Sequence, residues 1–85
     1  MTVQYRIMMY ERSTDRVAGI IAVRPPLVPQ VLSLAGIASA AEPGESELTD
    51  KQALAIAALM NFRANVGRYN YHLETLVTTQ DRLRA

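Results

Sequence analysis

The chain has no cysteine and no tryptophan, one histidine, one phenylalanine and one lysine. Without cysteine there are no disulfides, no thiolate nucleophile and no cysteine metal site, and nothing points to an oxidising compartment. A single histidine supplies too few ligands for a zinc site, so no metal or other cofactor is expected. No apolar run reaches the roughly 18 residues that a membrane span needs. The first residues, MTVQYRIMMYER, carry arginine and lack an apolar segment followed by a cleavage site. They do not read as a signal peptide, and the expected location is cytoplasmic, with no membrane partner. Net charge is low too, at +1, which implies no general affinity for nucleic acid.

What is present is an ordinary globular composition: 85 residues, 49% hydrophobic and 20% charged. That length allows one domain, and a domain this small buries only about 60% of its unfolded-chain surface. Residues 1–78 read as that domain and residues 79–85 as a polar tail that frays. Eight of the nine basic residues are arginine, which suits fixed ion pairs or interfaces. A compositional bias of the source genome gives the same count without any function.

The chain is organised around Thr49 to Gly67, TDKQALAIAALMNFRANVG. It reads as one helix. Thr49 and Gln52 make a capping box, Leu48 and Ala53 a weak staple, and Asp50 sits where the helix dipole favours an anion. Asn65 or Gly67 offers the left-handed stop. Spacing places Ala55, Leu59, Phe62 and Val66 on one stripe, with Leu54, Ala58 and Asn61 beside it. Ala53 to Met60 has no polar side, and a helix apolar all round is covered on more than one face. The cover is expected to be a sheet plus a second helix or a second subunit.

Thr2 to Glu11 alternates as a half-buried strand. Arg12 to Asp15 is a polar turn. Val17 to Arg24 is a second strand, nearly all apolar and so expected in a well-buried position, with Gly19 marking a bulge or close packing. Pro25 and Pro26 end it. Leu27 to Ala41 reads as a shorter helix, weakened at Gly36. Glu42 to Glu47 reads as an acidic loop punctuated by Pro-Gly. Arg68 to Thr78 reads as a third strand, with a helix as the competing possibility.

The fold expected is α+β: strand, strand, helix, helix, strand, with helices on one face of a three-stranded sheet. Val3, Tyr5, Ile7, Met9, Ile21, Val23, Tyr71, Leu73 and Val77 would face the helices. Gln4, Arg6, Met8, Tyr10, Ile20, Arg24, Arg68, Asn70, His72 and Glu74 would face away. The agreement of the alternations supports the sheet.

Three short motifs carry a resemblance. They are Glu-x-x-Thr-Asp at Glu11 to Asp15, Leu-Thr-Asp-x-Gln at Leu48 to Gln52, and Tyr-x-Tyr-x-Leu-Glu at Tyr69 to Glu74. Together they resemble uncharacterised small bacterial domains with an N-terminal hairpin. The resemblance implies no catalytic residues.

His72 has Glu74 as its nearest candidate partner, and such a pair can move a proton. No strained nucleophile, phosphate loop or HExxH helix accompanies it, so a solvent-face polar role is expected and no enzyme. The expected function is a small protein-interaction module, of accessory, inhibitor or immunity type, acting by docking. Its candidate partner-binding residues are Arg6, Met8, Tyr10, Ile20, Arg24, Arg68 and His72. The alternative is nucleic-acid or regulatory binding through the arginines of that sheet face, though no RNP or helix-turn-helix signature supports it. A homodimer is expected, with Leu54 and Ala58 at its interface.

Overall fold

The computed structural model describes residues 2–37 and 43–78. The proposed tail at 79–85 and the end of the expected first helix, 38–41, lie outside the described residues. The elements are β1 (Thr2–Glu11), β2 (Val17–Ala22), a 3-10 turn (Pro25–Leu27), α1 (Val28–Leu34), β3 (Gly44–Glu47), α2 (Asp50–Met60) and β4 (Tyr69–Thr78). The class is α+β as expected, but the sheet has four strands, in the order β2-β1-β4-β3, with every pair antiparallel.

The fourth strand, β3, lies in the stretch expected to be an acidic loop. GESE has no apolar residue, and all four of its residues are exposed. It is a strand because its backbone completes the open edge of β4, from Gly44↔Thr75 to Glu47↔His72. Charged side chains are common on such an edge, where they discourage pairing with other chains.

The hairpin forms as its alternation predicts. Asp15 takes a left-handed φ of 60°, and its N–H donates to the Glu11 carbonyl at 2.7 Å. The register between β1 and β2 shifts at Met9/Tyr10. Gly19 pairs with Met9 at that irregularity, and a Cβ there would come within 2.8 Å of Met9 Cε, the flexible end of that side chain. The position of β2 corrects the expectation of a well-buried strand. It is an edge strand, with Val17 and Ile20 52% and 49% exposed. Apolar content alone does not distinguish a central strand from an edge.

Both helices are shorter than their patterns. Gly36, at φ 74°, ends α1, and the Ile37 N–H returns to the Leu32 carbonyl at 2.9 Å. Asn61 ends α2 in the left-handed conformation at φ 63°, earlier than Asn65 or Gly67. Residues 62–66 continue as irregular chain, and Phe62, Ala64 and Val66 still pack on the core. The capping box is present: Gln52 N–H donates to Thr49 Oγ1 at 3.1 Å and Thr49 N–H to Gln52 Oε1 at 2.9 Å.

The core joins Ile7, Val23, Tyr71 and Leu73 of the sheet layer to Val31 of α1 and Ala53 and Ile56 of α2, with Leu48 between. The buried stripe of α2 is Ala53, Ile56 and Ala57, rather than Ala55, Leu59, Phe62 and Val66. Leu54 and Ala58 are exposed on its other side. β4 is a strand, which decides against the helical possibility. No helix among the described residues is long and apolar enough to cross a membrane.

Candidate docking face

The described helices pack on one face of the sheet, and no described helix lies on the other. Period-two alternation sends Arg6, Met8 and Tyr10 of β1 and Asn70, His72 and Glu74 of β4 to that second face. Register brings them side by side: Arg6 opposes Glu74, Met8 opposes His72, and Tyr10 opposes Asn70. On the β2 side Ile20 opposes Met8. On the β3 side Glu45 opposes Glu74 and Glu47 opposes His72.

Five polar residues of this face, Arg6, Tyr10, Glu45, His72 and Glu74, are paired among themselves. Arg6 binds Oε1 of Glu74 through Nε at 2.9 Å and also through Nη2. The Tyr10 hydroxyl reaches both carboxylate oxygens of Glu45 at 2.8 Å. His72 Nδ1 lies 3.2 Å from Glu45 Oε1. The rings of Tyr10 and His72 meet edge to face at 4.9 Å. Glu45 thus bridges Tyr10 of β1 and His72 of β4 from the neighbouring edge strand. The expected partner of His72 was Glu74, and this is corrected: Arg6 takes Glu74, while β3 delivers Glu45 to the histidine.

This arrangement acts on the Tyr10 phenol. The Tyr10 phenol is pushed above its ordinary pKa of 10.0, chiefly by its hydrogen bond to Glu45. Desolvation and then the charges of Glu45 and Glu74 act in the same direction, with Arg6 opposing. The hydroxyl therefore stays a neutral donor. Tyr10, Glu45 and His72, with Asp15 and Asn70, line a shallow hollow of about 240 Å³. Among the described residues no Ser, Thr or Cys lines it. Among the described residues no group of three metal-ligating side chains is present.

The other candidate residues divide. Met8 is on this face but only 5% exposed, packed among its neighbours, while Ile20 projects at 49%. Arg24 follows β2 at the near rim and is exposed. Arg68 does not belong to the face. It lies before β4 in a turn, pairs with Glu11 at 3.3 Å, and sits over the Tyr69 ring at 5.2 Å. Tyr69 packs on the core, so Arg68 marks the helix-covered side of that edge. Leu54 is 49% exposed on α2, with Ala58 one turn on and Leu34 of α1 38% exposed.

Glu45 was the residue missed. The available signal was Glu45-Ser46-Glu47, whose charges at i and i+2 share one face of any strand. No protein-family model, curated protein or solved structure matches the chain. The three-motif resemblance to small bacterial domains therefore gives no family assignment.

Proposed function

We propose that the chain is a small protein-interaction module that acts by docking, without catalysis, through the uncovered face of its sheet. The observation that carries this reading is the internal pairing of that face. Arg6 with Glu74, and Tyr10 and His72 with Glu45, give a fixed polar frame around Met8 and the projecting Ile20. A preorganised surface loses little side-chain entropy on binding, and Ile20 projects as an apolar anchor at the β2 edge of this polar surface. Glu45, Glu47 and Glu74 share the face with Arg6 and Arg24, which favours a protein over a polyanion.

Self-association forms a second part of the proposal. Leu54, Ala58 and Leu34 leave apolar side chains exposed on the helical layer, and two-fold pairing is the commonest way to bury such a patch.

The test is affinity capture from the source organism with the wild-type chain, Ile20→Glu and Leu54→Glu, each verified as folded. A protein held by the wild type and Leu54→Glu but lost by Ile20→Glu supports docking through the sheet. Equal capture by all three refutes it. Binding to DNA or RNA with steep salt dependence would favour the nucleic-acid alternative instead.

A further inference from the structure

The pairing of β1 is uneven along its length. Towards β4 it is paired throughout, from Thr2↔Thr78 to Glu11↔Tyr69. Towards β2 the ladder runs only to Arg6↔Ala22, extended by one bond from the Val23 N–H to the Tyr5 carbonyl at 2.9 Å. Strand parity then fixes which backbone groups look that way. The groups of Tyr5 point toward β2, so those of Val3, two residues earlier, do as well. Continuing the register, Pro25 falls opposite Val3. It has no N–H and has already turned into the 3-10 helix. Among the described residues, the Val3 N–H and carbonyl therefore face a gap in the sheet.

That gap is a cleft of about 570 Å³. Its apolar wall is Val3, Tyr5, Val23 and Val28, on the helix side of the sheet, and its rim carries Arg6 and Arg24. Among the described residues no acidic side chain lines it. Arg6 is neutralised by Glu74, and no carboxylate partner of Arg24 is found among the described residues.

We propose that this edge of β1 accepts an extended peptide segment of a partner as an added strand, and that the segment alternates apolar with acidic side chains. The proposal rests on the reading of the chain as a docking module and names a second contact for it. A strand added beside Val3 exchanges backbone hydrogen bonds with Val3. Its alternate side chains point to opposite faces. Those on the helix side meet the wall of Val3, Tyr5, Val23 and Val28. Those on the open side lie beside Arg24, where a carboxylate is complementary in charge. The template is short, so affinity is weak and direction-specific contacts decide selectivity.

The experiment is amide chemical-shift titration of the folded chain, to millimolar concentration, with a blocked peptide of alternating glutamate and valine. Three controls accompany it: the arginine-valine counterpart, a glutamate-valine peptide N-methylated at its central residue, and the Arg24→Glu variant. Saturable shifts centred on Val3 and Val23 are expected. They should be absent with the N-methylated peptide and about fivefold weaker in affinity for Arg24→Glu, as a part-exposed charge pair allows. No shift at millimolar peptide, equal binding of the arginine peptide, or shifts centred on Ile20 and His72 would each overturn the proposal. So would a dimer that Val3→Pro converts to monomer, because the edge would then be covered by a second copy. If the peptide fails while Ile20→Glu still abolishes native capture, the added strand falls and the docking module stands.

Discussion

Replacing Glu45 by alanine tests whether the side chains of the open face, rather than the ladder alone, hold β3 in place. β3 is four residues long, and all are exposed, so hydrophobic burial contributes little to its attachment. Glu45→Ala removes the Tyr10 hydroxyl contact at 2.8 Å and the His72 contact at 3.2 Å. Part-exposed pairs of this kind contribute about 0.2–1 kcal/mol each. The same change relieves repulsion from Glu74, which opposes Glu45 directly across the ladder. A net loss of about 1 kcal/mol in local stability is expected, or about a fivefold increase in opening of β3. The assay is native-state amide exchange at Ser46, in the ladder with Leu73, against Ile56 in α2 as reporter of global opening. Ser46 should exchange faster while Ile56 is nearly unchanged. Tyr10→Phe should give a smaller effect, and Tyr10→Phe with Glu45→Ala less than the sum, since both remove the same contact. Ser46 exchange unchanged within error in Glu45→Ala would refute the reasoning and leave the backbone ladder as the whole attachment.

Thr49→Ala should destabilise the domain by about 1 kcal/mol through loss of the cap, lowering Tm by about 4–8 °C; an unchanged midpoint in thermal denaturation would show that the capping box contributes nothing. Tyr10 has a folded pKa above its unfolded value, so its contribution to stability is fully present below about pH 10 and is lost as pH rises through the raised value. Phenolate absorbance of the wild type minus Tyr10→Phe should place that titration above 10.0, and Glu45→Gln should bring it down. Sedimentation at micromolar concentration should show a dimer that Leu54→Glu or Ala58→Glu splits with secondary structure retained; a species of single-chain mass, unchanged on concentration, would sink the dimer.

The legible parts of the fold were those where the chain's local pattern and its tertiary role agree. β1 and β4 alternate in polarity because each is covered on one face only, and that alternation correctly assigned most of both sheet faces. Thr49 and Gln52 declare a helix start by chemistry confined to one turn, and the start is where they place it. Helix ends were harder because apolar spacing continues past them. Phe62 and Val66 keep helical spacing from Leu59, yet Asn61 turns the chain and delivers both to the core from an irregular segment. Gly36 reads locally as a weak helical residue, whereas its φ of 74° makes it the terminator. β3 was illegible as a strand because its reason for being one lies in another element, the unpaired edge of β4. The candidate site inherited that error. With β3 taken as a loop, Glu74 was the only carboxylate available to His72, and the face appeared richer in arginine than it is.

The position of β3 also ties the docking face to the helical layer. Two residues, Leu48 and Thr49, separate the end of β3 from the start of α2. Neither is loose. The Leu48 N–H donates to the Tyr71 carbonyl at 2.9 Å and its side chain is 6% exposed in the core. Thr49 is fixed by both bonds of the capping box. Glu45, which positions Tyr10 and His72 on one side of the sheet, is thus anchored through a short rigid link to the helix bearing Leu54 and Ala58 on the other. Loss of the cap should then reach the open face: Thr49→Ala should raise Ser46 exchange by more than the global destabilisation accounts for. Proportional changes at Ser46 and Ile56 would show instead that the link transmits nothing beyond the stability of the whole domain.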